Sequence, residues 1–141
     1  MHIANTDLGT LFPLALGTAT GNRRWAEGPA AVFDAFLDLG GNVIDTARVY
    51  SALSKSEEAI GKWFRESGKR SRVILVSKGG HPPLFPFPRM HHPRLGAKEM
   101  RKDLEASLLA LGTDCIDIYL YHRDNPKKPA AALAEVMNVF R

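Results

Sequence analysis

The chain has 141 residues, 45% of them apolar and 24% charged, which is the composition of one globular domain with a sizeable core. No apolar run approaches the roughly 20 residues of a membrane span, no basic-then-apolar leader opens the chain, and the single cysteine, Cys115, has no disulfide partner within it. The net charge of +4 is dispersed, with only Lys69-Arg70-Ser71-Arg72 and Lys127-Lys128 as short clusters that read as solvated loop charge, so the expectation is a cytoplasmic protein with no nucleic-acid and no membrane partner.

Leu14-Ala15-Leu16, entered through Pro13, predicts a first strand, since proline is tolerated at a strand's start. Gly28-Pro29 opens a helix whose apolar stripe is Val32, Phe33, Phe36 and Leu37 and which Gly40-Gly41 ends. Strand 42–45 follows. Ser54-Lys55-Ser56-Glu57 has the spacing of a capping box, predicting a helix that begins there, carries Ile60, Trp63 and Phe64 on one face and stops near Gly68. Strand 73–77 is almost wholly apolar, as expected of a strand buried on both faces. A helix at 97–111 aligns Leu104, Leu108 and Leu111 and ends at Gly112; strand 116–121 comes next. The last helix starts near Pro129, with Leu133, Val136, Met137 and Phe140 at helical spacing.

Four βα units in succession predict an α/β fold with a parallel sheet and helices outside it. They fit either a small open sheet or half of an eight-unit barrel, and periodicity does not separate the two. The segment from Gly79 to Leu95 is the one long irregular stretch, with five prolines and His81, His91 and His92.

Asp45, Lys78 and His122 each stand where a short apolar strand runs out, and Tyr50 lies five positions past Asp45, in the loop after that strand. Parallel α/β sheets gather ligands and chemistry at the carboxyl ends of their strands. A phenol's ordinary pKa of about 10 is too high for efficient proton donation near neutrality. A neighbouring lysine cation stabilises a phenolate, a carboxylate holds that lysine charged, and an imidazole orients and polarises a carbonyl. The four residues therefore suit proton delivery to a carbonyl under reduction, with hydride supplied by a cofactor.

The same residues resemble a known family. Asp45-Thr46-Ala47-Arg48-Val49-Tyr50 is similar to the D-x-A-x-x-Y motif of the aldo-keto reductases, and Ser56-Glu57-Glu58-Ala59-Ile60-Gly61 resembles the helix segment after it. The run from Asp103-Leu104-Glu105 through Leu111-Gly112 and Ile116-Asp117-Ile118-Tyr119 to His122 resembles the signature D-L-E-x-S-L-x-x-L-G-x-D-x-I-D-L-Y-x-x-H. Ser77-Lys78 stands where the family keeps its lysine, and Gly17-Thr18-Ala19 is similar to its glycine-threonine turn beside the nicotinamide. The resemblance covers nearly the whole chain in order and spacing.

It implies a (β/α)8 TIM barrel that reduces aldehydes and ketones, small carbonyl substrates, with NADPH or alternatively NADH. Tyr50 would be general acid, Lys78 its activating partner, Asp45 the lysine's counter-ion and His122 the carbonyl orienter. Gly17, Thr18, Ala19 and Asp45 would border the cofactor. Residues 1–141 would form the N-terminal part of a single barrel domain, cut after the fourth βα unit, so that the isolated chain would lack most of the cofactor cradle, be inactive and bind NADPH weakly. Ser51 departs from the family's usual glycine and Ile118 from its leucine.

Other polar residues have plainer readings. His81, His91 and His92 carry no spacing of a known metal site, so no metal is expected. Trp25 is either a substrate contact or a packing residue. Lys98, Arg101, Lys102, Asp103 and Glu105 read as the solvated face of a helix, and Asp117, inside strand 116–121, demands a polar partner that the sequence does not name. The competing function is a non-enzymatic half-barrel used for partner binding, as in family members that serve as channel-associated subunits, or for self-association through the free edges of its first and last strands.

Overall fold

The computed structural model describes residues 8–19, 29–82 and 94–140, with side chains 51–54 excepted. The readings made for Trp25, His91, His92 and the Ser51 side chain lie outside the described residues. Four strands, β1 (Ala15–Gly17), β2 (Val43–Asp45), β3 (Ile74–Gly79) and β4 (Ile118–Tyr121), alternate with α1 (Ala30–Asp38), α2 (Tyr50–Ser67), α3 (Ala97–Leu111) and α4 (Ala130–Asn138). A short 3₁₀ turn, Arg70–Arg72, precedes β3. The strands form one parallel sheet in the order β1-β2-β3-β4. The expected βα alternation is therefore present.

Strand periodicity assigns two faces to the sheet. Ile44, Leu75 and Tyr119 point to the helices and join Phe33, Leu37, Ile60, Trp63, Phe64, Met100, Leu104, Leu111 and Phe140 in the main core. The opposite face gathers Val43, Ile74 and Val76, with Leu8 and Ile118 against them. Asp45 lies two positions from Val43, and Lys78 two from Val76, so both share this second face at its carboxyl end.

Four expectations need correction. Helix α2 begins at Tyr50, not at the Ser54–Glu57 box, and Tyr50 is its first residue rather than a loop residue. The box matches in spacing, but Glu57 is fully buried and accepts the Ser77 hydroxyl at 2.8 Å instead of capping a helix. In α1, Val32 is 49% exposed, and the buried stripe narrows to Phe33 and Leu37.

Asp103 is the third. It is buried, not solvated: it accepts the Gly80 N–H at 2.9 Å and two bonds from Arg94, each at 2.9 Å. Arg70, read as loop charge, is part of the fold as well. It bonds the carbonyls of Val73 and Cys115 and the Asp117 carboxylate, which also accepts the Leu75 N–H at 2.8 Å. That pairing supplies the partner Asp117 demands. Among the described residues, no helix is long and apolar enough to cross a membrane.

Candidate active site

Backbone bonds past the strand ends bring the four candidate residues together. Beyond β2 the chain stays on β3: the Thr46 N–H donates to Val76 at 2.8 Å and the Arg48 N–H to Lys78 at 3.3 Å. The Tyr50 N–H then donates to the Ala47 carbonyl at 3.0 Å, turning the chain into α2. Past β4, the His122 N–H donates to the Gly79 carbonyl at 2.8 Å. Asp45, Lys78 and His122 thus leave backbone that the sheet has already fixed, and Tyr50 leaves the turn that opens α2.

The Lys78 ammonium is the centre. Its Nζ donates to both Asp45 carboxylate oxygens at 2.7 Å, to the Thr46 carbonyl at 3.0 Å and to the Tyr50 hydroxyl at 3.3 Å. The lysine side chain is 16% exposed and the aspartate 30%, so the pair is partly shielded from water, which strengthens their attraction over that of a surface pair. The His122 ring stands edge-on to Tyr50, 5.5 Å between centroids. Its Nδ1 is buried with no hydrogen-bond partner. Burial first, then the positive potential of His81, Lys78 and Arg123, pushes His122 down to about 4, with Asp45 opposing.

The Gly17-Thr18-Ala19 turn lies beside Asp45. Thr18 is fully buried and committed to the fold: its N–H and hydroxyl both donate to the Asp45 carbonyl, at 2.9 and 3.1 Å, and its own carbonyl accepts the Ser56 hydroxyl at 2.8 Å. Gly17 and Ala19 are exposed, and a methyl group placed on Gly17 would meet open space.

Sequence reasoning missed several residues that build the site. Glu57 ties α2, which opens with Tyr50, to Ser77, the residue before Lys78. Burial raises its pKa, while Ser107, Ser77 and Arg48 pull the other way. The Arg48 guanidinium stops 3.9 Å short, beyond a hydrogen bond. The signal was present, since Glu57 precedes buried Ile60 by three positions and so shares its face. Asp103 likewise sits between buried Met100 and Ser107. His81 reaches the site from the loop after β3, its ring 4.7 Å from that of His122. Among the described residues, no group of three or more His, Cys, Asp or Glu is placed to hold a metal ion.

A parallel βα array with an acid, an amine, a phenol and an imidazole at its carboxyl rim defines the class to which the comparisons point. The aldo/keto reductase family model matches residues 13–141, and the chain belongs to that family. It is 37% identical over 133 residues to aldo-keto reductase YhdN of Bacillus subtilis, covering 88% of this chain and 38% of that protein. It is 32% identical over 120 residues to aryl-alcohol dehydrogenase GME11368 of Pestalotiopsis microspora, covering 78% of this chain and 31% of that one. Among solved structures, an aldo/keto reductase from Klebsiella pneumoniae in complex with NADP and acetate superposes with a TM-score of 0.70 at 31% identity, over 92% of this chain and 41% of that chain. The chain thus spans well under half the length of these relatives, and its sheet is part of their barrel fold.

Proposed function

We propose that this chain carries the proton-handling side of an NADPH-dependent reduction of aldehydes and ketones, as the N-terminal part of a single barrel domain. The observation that carries the reading is the Lys78 ammonium held between the Asp45 carboxylate and the Tyr50 hydroxyl. Because Tyr50 accepts a hydrogen bond from Lys78, its own proton is free to point at a substrate oxygen. Once that proton is given up, the lysine cation stabilises the phenolate left behind. Asp45 keeps the amine charged and fixed, and His122, held neutral, donates to the same oxygen and orients it.

The cofactor, when bound, supplies hydride. The donor set suits it: the exposed Gly17 and Ala19 backbone with open space before Gly17 offers a flat support beside Asp45, and Thr18 stiffens that turn from behind. Gly17 and Ala19 would border the nicotinamide directly and Asp45 from the side, while Thr18, fully buried, would act only by holding the turn.

The test uses the reading frame carrying this chain, expressed whole. Mixed with NADPH and a panel of small aldehydes and ketones, it should consume the reduced nicotinamide in a carbonyl-dependent way, followed by absorbance. Lys78→Met should slow that consumption by about 10²-fold or more, the scale of a general-acid contribution. Absence of carbonyl-dependent oxidation, or a Lys78→Met variant as fast as the parent, overturns the reading.

A further inference from the structure

We infer that His81 is a positioning residue of this site: its imidazole, edge-on to His122, keeps the His122 ring in place and uncharged, so that His122 meets a substrate oxygen as a neutral hydrogen-bond donor. The role in reduction rests on the function proposed above; the pairing of the two rings stands on geometry.

His81 follows Lys78 by three residues, in a loop stem that is clamped on two sides. The Gly80 N–H donates to Asp103 at 2.9 Å, and Arg94, bound to both oxygens of the same carboxylate, reaches the His81 carbonyl at 3.3 Å. The ring is fixed too. Its Nδ1 lies 2.7 Å from the Pro82 carbonyl. A carbonyl only accepts, so this nitrogen carries the hydrogen, and the neutral ring keeps a bare lone pair at Nε2. The rings of His81 and His122 meet at 4.7 Å and 84°.

His122 has a complementary constraint. Its buried Nδ1 finds no acceptor, so the neutral form that leaves Nδ1 bare and protonates Nε2 strands no donor. A second proton would be buried without a partner. It would also face the groups around the ring: His81 from the loop, Lys78 from β3, Arg123 next in the chain, with Asp45 from β2 as the one anion and Tyr50 from α2 as a neutral edge. A proton on His81 opposes that second proton at short range.

The experiment follows the ring nitrogens and C–H signals of both histidines by NMR as the 141-residue chain is titrated. In His81→Gln the His122 midpoint should move up by about 0.5 to 1 pH unit, the size of one charge at this distance in a well-screened site. His81→Asn, a second replacement that carries no charge, should move the His122 midpoint up by the same amount. Either variant suffices if the other folds poorly, and midpoints that coincide with those of the parent overturn the proposal. In the whole reading frame, His81→Gln should shift the acid limb of kcat/KM upward. A merely structural role would lower the profile without moving that limb. Because the titration needs no turnover, failure of the carbonyl-reductase reading would leave the NMR result intact and be recognised separately.

Discussion

Lys78 has three ammonium protons for four oxygens within reach, two on Asp45 and one each on Thr46 and Tyr50. The Tyr50 contact is the longest, so the amine is committed to the carboxylate and shares only its remaining capacity with the phenol. His122 and Glu57 titrate with opposite consequences for stability. The folded state holds His122 at about 4, below its ordinary 6.5, so the unfolded chain binds the extra proton between those values. Its contribution is complete above about pH 6.5 and is lost as pH falls toward 4. Urea denaturation across that range should show the parent losing stability more steeply than His122→Gln; equal slopes would show that His122 is not held neutral by the fold. Glu57 is raised above its ordinary 4.5, so its contribution is complete below that value and declines as pH rises through the folded one. Glu57→Gln keeps an acceptor for Ser77 and removes the ionisation. Relative to the parent it should therefore fare better at pH 7 than at pH 4, and a pH-independent difference would count against a buried, ionisable Glu57.

At the scale of elements, the α2–α3 contact is the most demanding. A methyl group on Gly61 would sit 2.5 Å from the Ala110 carbonyl oxygen and 2.7 Å from the Leu111 backbone, neither of which can rotate away. Gly61→Ala should cost about 1–3 kcal/mol, as overpacked cores do, despite alanine's better helix propensity. An unchanged denaturation midpoint would show that the helices separate freely. The order of elements was legible in the sequence because apolar runs and helical stripes are local patterns, and strand ends located Asp45, Lys78 and His122 without any knowledge of contacts. What escaped was tertiary. The start of α2 at Tyr50 escaped because Ser54-Lys55-Ser56-Glu57 satisfied a local rule while Glu57 answered to Ser77 across the fold. Asp103 and Arg70 looked solvated because charge alone suggests exposure, and their partners lie at Arg94, Gly80 and Asp117. His81 gave no sign, since its meeting with His122 depends on how the chain turns just after β3.

For the whole molecule, the strand order β1-β2-β3-β4 leaves β1 and β4 as the end strands among the described residues. Leu14, 68% exposed, adjoins one and Leu120, 42% exposed, belongs to the other. Exposed edges beside apolar side chains invite pairing, so the 141-residue chain taken alone should scatter light as more than a monomer at micromolar concentration. A monodisperse monomer would show that these edges are protected. That Tyr50 delivers the proton in a carbonyl reduction is decided by Tyr50→Phe in the whole reading frame, with turnover and NADPH binding measured on the same preparation. Turnover should fall by about 10²–10⁴-fold, the range for loss of a general acid, while NADPH fluorescence titrates as in the parent. Turnover within a few-fold of the parent would contradict it.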